Sequence, residues 1–235
     1  MPAPDPDPSL PAALLWDMDG LLVDTEPTWT VAETELAGHL GGEWDDEVKA
    51  AVVGTRLDVA VPAILRRFGR PDTPAAVAET SAWLLNRMVE LYRAPMAVRP
   101  GASALLAQAA SAGVPQALVS SSFRVLVGAV LQHGPALGWA PFDLTLAGDE
   151  VRRGKPDPEP YRTAAARLGV PAERCVVLED SPSGAASGLA AGCAVVAVPS
   201  LPNVAFAPAP RLRVAASLTE VTLSLLGALA GPPPS

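Results

Sequence analysis

The chain is short of several residue types, and each scarcity narrows its chemistry. Of its 17 basic residues only Lys49 and Lys155 are lysines, and the arginines are scattered without forming a basic block. With a net charge of −8, this argues against nucleic acid or an anionic membrane surface as partner, because both are polyanions. Cysteine occurs only as Cys175 and Cys193, in or beside apolar runs. That is too few for a disulfide framework or a cysteine-rich zinc site, so two buried thiols are expected. His39 and His133 lie in helical patterns outside any catalytic motif and read as structural. No apolar stretch reaches membrane-spanning length without Gly, Pro or a charge breaking it. The opening MPAPDPDPSLPA lacks the cationic start and apolar centre of a secretory leader. A cytoplasmic protein is expected. So is a monomer, since no long amphipathic tail is evident.

What is plentiful is apolar. Hydrophobic residues make up 49% of 235 and charged ones 18%, enough for one large domain or a core carrying a smaller insertion. The Pro-rich ends, residues 1–11 and the closing GPPPS, read as extended or disordered tails. AALLW at 12–16 fits a short buried strand ending at Asp17. From Thr28 to about Met96, four segments repeat apolar residues at three- and four-residue spacing and predict helices without an intervening strand. After Arg99-Pro100-Gly101 the texture changes to strict alternation. Helices over ASALLAQAASAG, FRVLVGAVLQHG, YRTAAARLG and SGAASGLAAG alternate with strands at PQALV, FDLTLAG, RCVVLED and CAVVAVP. This predicts an α/β fold, a doubly wound parallel sheet covered by helices on both faces. The all-helical stretch then reads as an insertion: a core of residues 12–26 and 98–231, with a helical cap at 27–97.

In such a sheet the ligand crevice lies at the carboxyl ends of the strands. The polar residues there are Asp17 and Asp19, Ser120 to Ser122, Asp149 and Lys155, and Glu179 and Asp180. Asp17-Met18-Asp19-Gly20 puts two carboxylates two residues apart, with Gly20 permitting the turn. One could attack phosphorus and the other could protonate the leaving oxygen. Taken alone, the same four residues read more readily as an Asx turn after a strand. Glu179-Asp180 after an apolar strand could join Asp17 in a hard oxygen site for Mg²⁺, or end the strand in solvent. Lys155, held between Gly154 and Pro156, could offset the carboxylates and bind phosphate as a point charge. Ser120 to Ser122 open a helix, which suits either an anion site or an ordinary cap. Each signal is moderate; their order along successive strand ends is much stronger.

LLWDMDGLLVDTEP at 14–27, LVSSS at 118–122, AGDEVRRGKPDPEPY at 147–161 and CVVLEDSPSGAASGLAAG at 175–192 together resemble the haloacid dehalogenase superfamily, in its β-phosphoglucomutase-like phosphatase branch. The resemblance implies a magnesium-dependent phosphatase for a small phosphorylated metabolite, a sugar phosphate or similar phosphomonoester, with a helical cap closing over it. It implies Asp17 as nucleophile and metal ligand, and Asp19 as general acid/base with its backbone carbonyl on the metal. Asp180 becomes a further ligand, with Glu179 beside it. Ser120 and Lys155 become the phosphate-binding pair, with Ser121, Gly20 and Glu26 completing the substrate contacts. The chain departs from the family's mutases. Trp29 stands near an expected His, Lys49 precedes Gly54, and Arg56 is shifted by a residue, whereas Trp16 in place of the family's usual Phe is a change expected to be tolerated. Hydrolysis is therefore expected over phosphomutase activity, and over a non-catalytic binding role on the same fold. A dehalogenase would not need Asp19. Specificity is expected at cap positions such as Glu26, Trp29, Thr55, Arg56 and Trp83.

Overall fold

The computed structural model describes residues 7, 9–52, 55–202 and 204–231. Gly54 and most of both Pro-rich ends lie outside the described residues. In chain order the elements are β1 (Ala13–Trp16), α1 (Glu26–Leu40), α2 (Asp46–Val52), α3 (Leu57–Arg67) and α4 (Pro74–Leu91), then α5 (Ala102–Ser111) and β2 (Gln116–Val119). They continue with α6 (Arg124–Leu131), β3 (Leu144–Leu146), α7 (Glu159–Leu168), β4 (Cys175–Glu179), α8 (Pro182–Ala191), β5 (Ala194–Ala197), β6 (Leu212–Val214) and α9 (Leu223–Ala230). The sheet order is β3-β2-β1-β4-β5-β6, and every pairing is parallel. The fold is thus the doubly wound α/β architecture expected. β6 and α9 were not foreseen: LRV is too short, and too exposed, to show a strand pattern.

Strand periodicity divides the core. Leu14, Trp16, Leu118, Val176 and Leu178 face one cluster, which α5, α6 and α9 cover. Ala13, Leu15, Ala117, Val119 and Val177 face the other, under α7 and α8. All four β1 residues are fully buried, and removing one such large side chain from water stabilises by about 2 kcal/mol. Cys175 and Cys193 are buried free thiols, and burial pushes each up to about 12. Among the described residues no helix is long and apolar enough to cross a membrane.

The helices α1 to α4 pack on one another as a block between β1 and α5, and α4 rests on α6. Arg87 of α4 forks onto Glu35 of α1 at 2.6 and 2.8 Å. The chain entering the block and the chain leaving it run side by side. Asp24 N–H donates to Ala97 C=O at 2.8 Å and Arg99 N–H to Leu22 C=O at 2.9 Å, forming an antiparallel bridge at Val23 and Val98. At the other end of the molecule Leu10 is held by the core, its carbonyl accepting from Arg174 at 2.9 Å.

Register places the site. Trp16 lies opposite both Leu118 and Leu178, so the residue after it, Asp17, emerges between the ends of β2 and β4. The chain leaves β1 for β2 and β3 on one side and later returns to β4, β5 and β6 on the other. That reversal of strand order is where such sheets open a crevice. Below it, the buried Trp16 indole N–H donates to Gln116 Oε1 at 3.1 Å, and Gln116 Nε2 donates to Leu106 C=O at 3.1 Å. Gln116→Leu strands both partners in the core and should destabilise by about 2 kcal/mol, lowering the melting temperature by roughly 4–8 °C. An unchanged thermal melt would show that this buried relay contributes nothing.

Candidate active site

Lys155 sits at the centre of the crevice with its side chain 3% exposed. Its ammonium donates to Asp17 Oδ1 at 2.5 Å, to Glu179 Oε1 at 2.6 Å and to the Val119 carbonyl at 3.0 Å. Tyr161, one turn into α7, donates its hydroxyl to Glu179 Oε1 at 2.9 Å and places its ring 5.0 Å below the ammonium. The second oxygen of Glu179 accepts from Asp180 N–H, Ser181 N–H and Ser181 Oγ at 2.9–3.1 Å. Glu179 is therefore fully engaged, which is how a carboxylate 1% exposed is tolerated. A Cβ on Gly184 would lie 1.7 Å from Glu179 Oε1; this turn of α8 has to be glycine.

Asp17, Glu179 and Asp180 bring carboxylate oxygens within 4.8 Å of one another. Three acids against one ammonium leave an excess of negative charge. Burial pushes Asp17 well above the usual carboxylate range, Lys155 opposes this, and Glu179, Asp180 and Asp19 add to it. Asp180 is pushed up to about 7, first by burial and then by Glu179, with the Ser200 hydroxyl on its Oδ2 pulling the other way. Burial alone would lower Lys155, but Asp17 and Glu179 outweigh it and hold the ammonium charged. An all-oxygen donor set with surplus negative charge suits a hard divalent cation.

Asp19 has a different setting. Thr25 Oγ1 at 2.8 Å and Tyr92 OH at 3.4 Å donate to its Oδ1, and Ser122 Oγ at 2.8 Å and Ser120 Oγ at 3.3 Å donate to its Oδ2. Gly20 turns the chain at φ +81°, and a Cβ there would lie 2.2 Å from Asp180 Oδ2. Glycine is thus required twice, by conformation and by space.

These groups open into a cavity of about 340 Å³ lined by Asp17, Asp19, Glu26, Ser121, Lys155, Glu179 and Asp180. Ser120 and Gly20 lie behind its wall; the Ser120 hydroxyl is taken up by Ser122 N–H at 2.9 Å as well as by Asp19. Trp29 and Thr55 line the cavity, but Arg56 and Trp83, expected there, are not among its lining residues. Arg56 forks onto Asp58 at 2.9 and 3.0 Å and donates to Val151 C=O at 3.2 Å. Its methylenes lie over Gly154, where a Cβ would come within 2.2 Å of Arg56 Cδ. It ties the helical block to the loop that delivers Lys155. Trp83 meets His39 edge-on, ring centroids 4.7 Å apart. Asp149 accepts from Arg124 N–H at 2.8 Å and secures the start of α6 instead of the crevice.

Thr25, Tyr92, Tyr161 and Ser200 were missed. Ser200 follows β5, so extending the strand-end rule by one strand would have found it. Tyr161 closes the KPDPEPY stretch, one helical turn after a proline-rich loop. Tyr92 comes from the far end of α4, and nothing local marks it.

The sign of the charge imbalance has a measurable effect. Asp180 is raised in the folded protein, so its neutral form stabilises the fold below about pH 4, and this contribution is lost as pH rises through about 7. In chelator, stability should decline over that window. Asp180→Asn, neutral throughout, should flatten the decline in thermal melts from pH 4 to 8. An identical pH profile for the two proteins would refute the assignment.

The family model described as haloacid dehalogenase-like hydrolase matches residues 11–192, a span holding Asp17, Asp19, Lys155, Glu179 and Asp180. Hexitol phosphatase A of Escherichia coli (strain K12) is 35% identical over 216 residues, 89% of this chain and 93% of that protein. The bifunctional riboflavin kinase/FMN phosphatase of Arabidopsis thaliana is 31% identical over 222 residues, 93% of this chain, which spans only 56% of that longer relative. A crystal structure of CbbY from Rhodobacter sphaeroides in complex with phosphate matches with a TM-score of 0.79 at 31% identity, covering 90% of this chain and 96% of that one. Sheet order, crevice and sequence likeness agree: the chain belongs to the haloacid dehalogenase-like hydrolases.

Proposed function

We propose that the protein is a Mg²⁺-dependent phosphatase that hydrolyses a small phosphorylated metabolite, a sugar phosphate or similar phosphomonoester, through an aspartyl-phosphate on Asp17. The observation that carries this reading is the buried Lys155 ammonium shared between Asp17 and Glu179, with Asp180 beside them and Asp19 separately held by hydroxyls. Relatives named as phosphatases support the same reaction class.

The carboxylate oxygen of Asp17 that Lys155 leaves uncovered attacks phosphorus, and the bond from phosphorus to the ester oxygen breaks. Asp19 acts as general acid, giving a proton to the departing alkoxide. Its carboxylate then takes a proton from a water molecule, and that water attacks the phosphoryl group on Asp17 to release phosphate. Hydroxyls from Thr25, Ser122 and Tyr92 hold Asp19 in place for both transfers. Lys155 offsets charge on Asp17 and on the phosphoryl oxygens. Asp17 and Asp180 would hold Mg²⁺, with Glu179 beside them and the Asp19 carbonyl that the family resemblance implies. When bound, the metal supplies positive charge against the phosphoryl oxygens, and such reactions depend mainly on positioning and charge neutralisation. Ser121, which lines the cavity, stands ready to bind a phosphoryl oxygen.

The test is phosphate release from a broad panel of phosphomonoesters, with Mg²⁺ and with chelator. Release should need the metal, equal the alcohol formed and yield no isomerised sugar phosphate. Asp17→Asn should abolish turnover with an unchanged melting curve, and Asp19→Asn should lower kcat by about 10²–10⁴-fold. Full activity in Asp17→Asn would refute the nucleophile.

A further inference from the structure

The helical block supplies the half of the cavity that faces away from the carboxylates. Its wall is largely apolar: Trp29, Leu57, Ile64 and Leu84, met from the core side by Phe123 and Leu126. Four polar side chains of the block interrupt it, Glu26, Glu33, Lys49 and Thr55. Lys49 is already partnered: its ammonium lies 3.1 Å from Glu26 Oε2 and donates to Thr30 Oγ1 at 3.1 Å. Among the described residues the only cations lining the cavity are Lys49 and Lys155. Lys155 is committed to Asp17 and Glu179, and Arg56 is turned away onto Asp58 and Val151. The leaving-group half therefore offers two carboxyl groups and one already paired ammonium.

We propose that the cavity selects a phosphomonoester whose leaving group carries no second anionic group, the monophosphate of an uncharged alcohol with one apolar face. This rests on the phosphatase reading and sharpens it. A second phosphate or a carboxylate would find no uncommitted cation. It would have to break the Lys49–Glu26 pair or lie unpaired against Glu26 and Glu33, and an unpaired charge held out of water is costly enough for a pocket to reject its bearer. A hydroxyl meets the opposite reception. Glu26 and Glu33 can accept from it, Thr55 can do either, and the carbon skeleton lies on Trp29 and the leucines. The volume, about 340 Å³, suits a ligand of that size.

The experiment compares matched substrates on the full chain with Mg²⁺: fructose 1-phosphate against fructose 1,6-bisphosphate, and glycerol 3-phosphate against 3-phosphoglycerate. The uncharged-alcohol member of each pair should have the higher kcat/KM, by roughly tenfold or more. Glu26→Gln, which releases Lys49, should narrow that ratio by improving the bisphosphate. Equal or better turnover of the doubly anionic member, or a ratio unmoved in Glu26→Gln, would overturn the proposal. Hydrolysis of none of the four would count against the phosphatase reading. The selectivity would then be read from calorimetric binding of the same pairs to Asp17→Asn, where tighter binding of the doubly anionic member overturns it.

Discussion

A single buried ammonium organises this protein's active centre. The parallel register sets Asp17 and Glu179 at neighbouring strand ends, where two ionised carboxylates would repel each other in a poorly solvated crevice. Lys155 lies between them and also holds the end of β2 through the Val119 carbonyl. Three strands and one loop are thereby joined by one side chain. Its surroundings are shaped to keep it there. Gly184 leaves room for Glu179, Gly20 leaves room for Asp180, and Gly154 lets Arg56 press on the loop from outside. Removing one partner from a buried charged cluster is far costlier than the cluster's own net contribution, so the arrangement stands or falls as a unit.

The same cluster is deliberately incomplete in charge. One ammonium cannot neutralise Asp17, Glu179 and Asp180, and the surplus shows as carboxyl groups raised above their usual range. Glu179, which has five hydrogen bonds, absorbs the structural role. Asp17 and Asp180 carry the imbalance that a cation relieves. Fold stability and chemical readiness are opposed here, as they commonly are at strained or charged sites.

Much of this was legible in the sequence for a physical reason. Short apolar runs that end in acid or hydroxyl read as buried strands with polar ends, and their order along the chain pointed to both the sheet and its crevice. Asp17, Glu179 and Asp180 were visible because they close such a run, Asp19 because it follows Asp17 ahead of a turn-forming glycine, and Lys155 because Gly154 and Pro156 hold it in the loop after β3. Ser120 was visible too, but not that its hydroxyl would turn inward to Ser122 and Asp19. What stayed hidden depended on distance. Tyr92 reaches Asp19 across 73 residues, and Arg56 crosses 95 residues to Val151; neither contact leaves a periodic trace. β6, with three residues and partly exposed side chains, lacks the apolar run that marked the other strands.

The paired segments at Leu22–Asp24 and Ala97–Arg99 have a consequence for how such a protein can diversify. Some seventy residues depart from the sheet and return to it through points joined by backbone hydrogen bonds. To the core, the helical block is one long loop closed at its base, and lengthening such a loop adds little entropy. The block can therefore lengthen with no strand shifting register, so long as Tyr92 and Arg56 keep their contacts to Asp19 and to the Val151 carbonyl. Crevice and helical block are in this sense separable parts, fastened to each other at the paired peptide groups and through a few long side chains.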